Sequence, residues 1–280
     1  MQDYAPKVFD RFIASNSGIK KAIKKGQILR NGKIAQTGSW ISEGEVLELL
    51  EDVNSTRKVY EFSLEIVFED DHLAVINKPA GMTVSGNSFK TVFNALNYNL
   101  TPSTAPDRLT KPTPVHRLDN QTSGLLLIAK TKSAQVELGK QFENRTILKK
   151  YCTIVIGEVH KNRVINSPIE GKESETNFEI LRVVKSLKYK ELTCLKVYPK
   201  SGRTHQIRIH MASIGHPVLG DKIYGEKEKL HHGKGLFLCA SELLFSHPKT
   251  YEPIHLKLDP PHKFRALLVR EKRRWNTYNT

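Results

Sequence analysis

The hydrophobic and polar positions of the chain first form a short amphipathic block near the N-terminus. Apolar residues at helical spacing over 8–13 predict a short helix, and the run IKKAIKKG over 19–26 predicts a second helix that ends at Gly26. Strand-like pieces at 27–30 and 46–50 follow. The pattern therefore predicts a small α+β unit built separately from the rest of the chain.

A polar stretch near residue 55 predicts the boundary between two domains, residues 1–55 and 60–280. The second domain lacks regular alternation of strands and helices, which argues against a doubly wound parallel sheet. We therefore predict a mixed α+β fold with a largely antiparallel sheet, and a proline-rich loop over 99–114. The predicted strands are 64–68, 73–77, 124–129, 151–157, 178–184 and 192–198, and the predicted helices are 92–98, 133–142 and 204–214.

The most informative compositional feature is the positive net charge of the chain. The 280 residues include 44 Lys and Arg against 29 Asp and Glu, a formal net charge of +15. Such an excess indicates a polyanionic partner, because cations that neutralise phosphates release bound counterions. Eight of the basic residues and one acid lie between Lys7 and Lys33. A run of this kind is also typical of a solvated helix face, so charge alone does not identify the partner.

Composition also argues against several classes of protein. No apolar run approaches the roughly 18 residues of a membrane span, and the first ten residues lack the apolar region of a secretory signal, so we expect a cytoplasmic protein. The cysteines at 152, 194 and 239 are far apart, which predicts reduced core thiols. The pair His231-His232 has no third ligand at useful spacing, so we expect no metal site.

The most informative local feature is the segment His116-Arg117-Leu118-Asp119, which precedes the apolar run 125–129. A carboxylate on a short loop is well placed for catalysis when a buried strand holds the loop, and the neighbouring arginine favours an anionic substrate. On pattern alone Asp119 is more often an ordinary turn residue, since Asp-Asn and Thr-Ser-Gly are turn sequences. The pattern leaves both interpretations open.

The run HRLD followed by TSGLLL-x-AKT resembles the catalytic loop of the RluA family of pseudouridine synthases. Three further segments resemble motifs of that family, in family order: VFEDDHLAVINKPAGMTV over 67–84, KKYCTIVIG over 149–157, and SGRTHQIRIHM over 201–211, which continues into GHP and GD-x-x-Y. Thr153 replaces the alanine that is usual two places after Tyr151. The segment LFLCASELLFSHP over 236–248 resembles a Leu-His-Ala segment of the family, with Cys239 in place of the histidine.

The resemblance implies an isomerase that converts uridine in RNA to pseudouridine. The N1–C1′ bond breaks, the base turns, and C5 joins C1′; because the reaction is redox-neutral and loses no group, no cofactor is expected. Asp119 is implied to be the catalytic residue, either by covalent attack or by taking a proton from C2′. Arg208 is implied to keep Asp119 ionised through an opposite charge. Tyr151 is implied to lie against the target base.

Further residues are implied to face the RNA. Arg117 would displace the target nucleotide from its stack, His116 would satisfy hydrogen bonds of the loop, and Arg203 and His205 would bind phosphate or form the pocket wall. Lys78 either touches RNA or caps its turn. The residues that we group as substrate- or RNA-binding are Arg117, His116, Arg203, His205, Lys20, Lys21, Lys24 and Lys25.

From the residues alone, two of these roles have simpler alternatives. Without the motif, the pattern favours an ordinary surface arginine at Arg208, and Tyr151 has the common alternative of a strand aromatic in the core. An unrelated Asp-based hydrolase is disfavoured because a glycosidase needs two placed carboxylates and no second acid accompanies the Asp119 loop.

The N-terminal order IKKAIKKGQILRNGKI resembles the small RNA-binding domain of the ribosomal-protein-S-four type, although its usual Arg-Leu-Asp opening is Val8-Phe9-Asp10 here. This resemblance implies RNA contacts by the lysines between 20 and 25. Together with the charge it favours ribosomal RNA first and tRNA second. The alternative is a non-catalytic RNA-binding or ribosome-assembly protein on the same fold.

We expect a monomer with no membrane association and no obligate protein partner. The basic tail after Arg265 is interpreted as a fraying end or an RNA contact.

Overall fold

The computed structural model describes residues 20, 22–38, 40–49, 59–225 and 233–279. The chain divides into two compact units, Met1–Lys58 and Val59–Thr280. The predicted helix over 8–13 lies outside the described residues, as does Lys21. In the described part of the chain, no helix is both long enough and apolar enough to cross a membrane.

In the first unit, a helical turn is followed along the chain by a small antiparallel sheet. Residues 22–24 are helical, and Gly26 takes a left-handed conformation (φ 67°) that ends the turn where the sequence predicts. The sheet has the order β2-β1-β3, and Ile28 forms its small core with Ala22, Ile23, Ala35 and Leu47. Its strands are β1 Ile28–Arg30, β2 Lys33–Ile34 and β3 Leu47–Leu49.

The described residues of the second unit form one mixed sheet, ordered β4-β5-β7-β12-β8-β11-β10-β9, with β6 added beside β7 and β13 beside β12. All pairings are antiparallel except that of β7 with β12, so the predicted largely antiparallel α+β fold is confirmed. The strands are β4 Glu65–Glu69, β5 Leu73–Lys78, β6 Arg108–Pro114, β7 Ser123–Thr131, β8 Leu148–Ile156, β9 Arg163–Ile165, β10 Thr176–Ser186, β11 Lys190–Pro199, β12 Leu238–Ser246 and β13 Pro253–Lys257. The helices are α1 Val92–Asn99, α2 Lys132–Glu143, α3 Gln206–Ser213 and α4 Lys263–Tyr278.

Strand β8 separates two layers of the core because successive side chains of a strand point to opposite faces. Val155 packs in one cluster with Met211 of α3. Its neighbour Ile154 packs in another cluster with Phe264 and Leu267 of α4. Helices α3 and α4 therefore cover opposite faces of the sheet.

Two sequence predictions are wrong in this unit. The predicted loop over 99–114 contains strand β6, whose prolines are tolerated because it pairs with β7 on one side, off the main path of the sheet. The tail after Arg265, interpreted as a fraying end or an RNA contact, is not a fraying end: it belongs to helix α4, which buries Phe264, Leu267 and Leu268 at helical spacing. The basic residues between these positions concealed the apolar stripe. By contrast, Cys152, Cys194 and Cys239 are buried free thiols, as predicted.

We predict that Gly124→Ala lowers the free energy of unfolding by about 3 kcal/mol or more. Gly124 has φ 111°, and a Cβ there would overlap the carbonyl oxygen of Ala240 where β7 meets β12. Chemical denaturation measures the change. Gly139→Ala in α2 is the matched control: a Cβ there meets nothing within 4 Å, so the substitution should stabilise by roughly 0.5–1 kcal/mol. Similar effects of both substitutions would contradict the prediction.

Candidate active site

Asp119 lies on the short loop between β6 and β7, and its neighbours on the chain fix this loop to the sheet. His116 Nε2 accepts a hydrogen bond from the Leu127 N–H at 3.0 Å, and the imidazole packs against Phe142 with ring centroids 4.8 Å apart. Burial lowers the pKa of His116 to about 3, so the ring stays neutral and able to accept. Leu118 is buried in the core. The Asp119 carboxylate therefore sits on a rigid support.

Lys78 anchors the other side of the same loop. Its side chain is fully buried, and Nζ donates to the carbonyl oxygens of Pro79, Met82 and Asn120 at 2.8, 2.6 and 3.1 Å. Burial lowers the pKa of Lys78 to about 8, against the opposing attraction of Asp119. The ammonium group donates its hydrogen bonds to backbone carbonyls and is closed to solvent. The alternative in which Lys78 touches RNA is therefore not supported.

Arg208 lies between two carboxylates. Its Nε and Nη2 donate to the two oxygens of Asp221 at 2.7 and 2.8 Å, while Nη1 donates to Asp119 Oδ2 at 3.3 Å. Burial opposes the charge of Arg208, but hydrogen bonds and attraction to Asp221 and Asp119 outweigh it and raise the pKa of Arg208. The bidentate bond thus goes to Asp221, and Asp119 keeps the longer, single one.

Several neighbouring hydrogen-bond donors stabilise the charged form of the Asp221 carboxylate. Burial would raise its pKa, but hydrogen bonds from Arg208 and from the backbone N–H groups of Ile223 and Tyr224 lower it overall. Asp221 is 1% exposed. A carboxylate so enclosed is available to orient Arg208 but not to act on a substrate.

His205 lies beside Asp119, and Tyr224 contacts both His205 and Arg208. His205 Nδ1 lies 3.0 Å from the Tyr224 hydroxyl, and its Nε2 lies 3.8 Å from Asp119 Oδ2. The Arg208 guanidinium lies 5.2 Å from the centroid of the Tyr224 ring. The predicted helix over 204–214 begins only at Gln206, because His205 adopts a left-handed conformation (φ 56°) immediately before it. This turn directs His205 toward the carboxylate.

A cleft of about 490 Å³ opens beside Asp119. Tyr151 of β8 lines it, and burial followed by the negative charge of Asp119 raises the pKa of Tyr151 well above its usual value, so the phenol stays protonated. Six basic side chains line the cleft against two acidic ones, a balance that favours a phosphate-bearing ligand. They are Arg117, Arg145, Lys149, Lys200, Arg203 and Arg208, against Asp119 and Glu143.

Most of the sequence-predicted site residues converge on this cleft. They are Asp119, Arg208, Tyr151, Arg117, His116, Arg203 and His205. Lys20, Lys24 and Lys25 are exposed in the first unit, and Lys21 lies outside the described residues. Among the described residues no three His, Cys, Asp or Glu side chains form a group that could hold a metal ion.

Sequence reasoning did not assign roles to Asp221, Tyr224, Arg145 and Lys149. The GD-x-x-Y spacing of the first two was a usable signal, but their contact with Arg208 depends on the fold. In the sequence, no second acid is close to the Asp119 loop. In the structure, however, Asp221 and Asp119 both pair with the guanidinium of Arg208.

The second unit is thus an α+β domain whose cleft places a partly exposed carboxylate among basic side chains. A sequence model of the family described as RNA pseudouridylate synthase matches residues 72–213. An RNA pseudouridine synthase from Aquifex aeolicus is 36% identical, with 92% of each chain covered. Ribosomal large subunit pseudouridine synthase D from Xylella fastidiosa is 32% identical over 91% of this chain and 84% of the relative.

The solved structure titled human RNA pseudouridylate synthase domain containing 1 is similar as well, with a TM-score of 0.60 and 25% identity over 71% of this chain and 84% of that one. The chain belongs to the RNA pseudouridylate synthase family, as its RluA-type motifs predict, and is therefore an isomerase.

We predict that Asp221→Asn lowers the free energy of unfolding by about 3 kcal/mol, because it breaks a buried ion pair. It should also lower kcat by up to about 10²-fold, because Arg208 is then free to turn toward Asp119. Glu271→Gln is the control: Glu271 is equally buried and ion-paired, but on α4 at the other face of the sheet. Denaturation and steady-state kinetics should show a loss of stability in both variants and a loss of kcat in Asp221→Asn alone. Equal kcat values would exclude a role for Asp221 in positioning Arg208.

Proposed function

We propose that this pseudouridine synthase isomerises uridine in large-subunit ribosomal RNA, with Asp119 as the catalytic residue. The proposal rests on the exposure and the contacts of the Asp119 carboxylate. It is 18% exposed in a basic cleft, and its contacts with described side chains are made by Oδ2. Oδ1 is thereby left for the substrate.

Catalysis needs an ionised carboxylate with an oxygen free to reach the sugar. Asp119 either forms a bond to C1′ as the N1–C1′ bond breaks, or takes the C2′ proton and gives a glycal. In the covalent route, C5 of the turned base attacks C1′ and the bond from Asp119 to C1′ breaks. In the glycal route, C5 bonds to C1′ and the proton held by Asp119 returns to C2′. In both routes, the proton that leaves C5 is balanced by the one that N1 acquires. Atoms and charge are conserved, so this scheme requires no redox cofactor.

Arg208 and Tyr151 prepare the cleft for this reaction. Arg208 donates two hydrogen bonds to Asp221 and one longer bond to Asp119, so it contacts the Asp119 carboxylate without enclosing it. Tyr151 keeps its proton and offers a ring on which the target base stacks. Arg117 is exposed at the rim, where it can occupy the space that the flipped nucleotide leaves.

The choice of ribosomal RNA rests on two supports. The relative from Xylella fastidiosa is named for the large ribosomal subunit, and the net charge of +15 fits a large polyanion. We propose in addition that residues 1–55 form an S-four-like RNA-binding domain. Exposed Lys20, Lys24 and Lys25 beside its small sheet support this role.

We predict that Asp119→Asn reduces turnover by at least about 10³-fold while the fold and RNA affinity remain. Asparagine keeps the size of the side chain but removes the charge that either route needs. The assay is tritium release from a large-subunit ribosomal RNA transcript labelled at uridine C5. Asp259→Asn, at an exposed position, should retain full activity.

Measurable turnover by Asp119→Asn would overturn the role of Asp119. Release by the wild-type protein from labelled tRNA, and not from ribosomal RNA, would move the substrate to tRNA and leave the assignment of Asp119 intact.

We predict that removal of residues 1–55 leaves a folded, active catalytic domain that binds long RNA more weakly. The slope of log Kd against log salt should fall by about 0.7–0.9 for each phosphate that the protein no longer neutralises. The full-length variant with Lys20, Lys24 and Lys25 changed to Gln tests the same lysines without truncation. An unchanged slope in both proteins would show that the basic N-terminal face does not bind phosphate.

A further inference from the structure

The C-terminal helix α4 presents a basic face that the catalytic cleft does not use. Phe264, Leu267, Leu268 and Glu271 are buried against the sheet. This fixes the orientation of the helix and leaves its opposite side in solvent. The side chains exposed there include Arg265, Val269, Lys272 and Arg273.

The positive charge of this face is not neutralised within the described structure. Helix α4 carries six Lys and Arg residues and one acid, Glu271. The Glu271 carboxylate is buried, accepts a hydrogen bond from Ser186 Oγ at 2.7 Å and pairs with Arg270 at 3.2 Å and Arg274 at 3.9 Å. Among the described residues, Arg265, Lys272 and Arg273 have no ion-pair partner. They are therefore available to an external anion.

The stability of the helix does not account for these cations. Arg265 lies in the first turn, where the helix dipole disfavours positive charge, and the run 272–274 lies before the last turn, which contains no basic residue. Neighbouring like charges also repel each other. An external polyanion would offset that repulsion.

The surroundings of the helix match the chemistry of nucleic acid. The neighbouring β10–β11 turn adds exposed Lys188 and Lys190. Clustered exposed cations are typical of surfaces that contact the sugar-phosphate backbone of nucleic acid. A helix of 16 residues is about 24 Å long, long enough for several phosphates.

The position of α4 limits the kind of RNA that can use it. Helix α3, which carries Arg208 to the cleft, packs with Val155 on one face of the sheet, and α4 packs with Ile154 on the other. An RNA with its target uridine in the cleft must pass around the sheet to reach α4. We therefore expect a long RNA to contact α4 more readily than a short hairpin held in the cleft.

We propose that the exposed face of α4, centred on Arg265, Lys272 and Arg273, is a second binding surface for the sugar-phosphate backbone of a long structured RNA. The inference rests on the proposed function in one respect, that the substrate is such an RNA.

The test compares two triple variants of the full-length protein. In the first, Arg265, Lys272 and Arg273 are each changed to Gln. In the matched control, Lys90, Lys249 and Lys257, which are also exposed and lie outside α4 and the cleft, are each changed to Gln. The probes are a large-subunit ribosomal RNA transcript and a hairpin of about 20 nucleotides, with Kd measured over a range of salt concentrations.

We expect the α4 variant to bind the transcript about tenfold more weakly, with a salt slope lower by about 2–3, and to bind the hairpin like the wild-type protein. The control variant should change neither affinity by more than about twofold, because exposed charges distant from the ligand are screened. Turnover at saturating transcript should be unchanged.

An unchanged transcript affinity, equal weakening on transcript and hairpin, or equal weakening by the control variant would each overturn the proposal. Thermal unfolding checks that the α4 variant is folded. Tritium release separates this test from the proposed function. If the wild-type protein releases no tritium from the transcript, the proposed substrate is wrong, while the binding comparison still decides whether α4 contacts RNA.

Discussion

The structure depends on one buried interaction, the bidentate hydrogen bond of the Arg208 guanidinium to Asp221. A charged arginine can be buried here because a carboxylate faces it in a planar, two-bond geometry, and two backbone N–H groups satisfy that carboxylate in turn. The third nitrogen of the guanidinium remains for Asp119. The proposed catalytic carboxylate is thus electrostatically supported without being fully paired.

Two side chains hold the Asp119 loop against the sheet. Lys78 and His116 tie the Asp119 loop to β5 and β7 through backbone groups, and both side chains are used for support although their residue types are common in catalysis. Burial lowers the pKa of both side chains. In this site, a perturbed pKa therefore marks residues that anchor the loop and does not by itself identify a catalytic residue. Tyr151 differs, since its ring lines the open cleft.

Electrostatics act at two ranges in this molecule. At short range, opposite charges pair within a few ångströms and fix geometry, as at Arg208. At longer range, basic residues outnumber acidic ones around the cleft and along α4, and their effect on a polyanion depends on salt. The sheet lies between these two basic regions. A small ligand in the cleft would therefore interact with one of them, whereas a large RNA could interact with both.

The family, the largely antiparallel α+β fold and the segments that meet at the cleft could be predicted from the sequence alone, because motifs and strand patterns are local properties of the chain. The sequence did not reveal strand β6, since prolines that normally break strands are tolerated where one side is unpaired, nor helix α4, since basic residues concealed its apolar stripe. Only the tertiary structure showed that Lys78 is an anchor and that Asp221, 13 residues beyond Arg208 in the chain, takes most of its hydrogen bonds. The reason is physical: the pairing of a buried charge is decided by which groups the fold brings within about 3 Å, and residue spacing alone does not specify that distance.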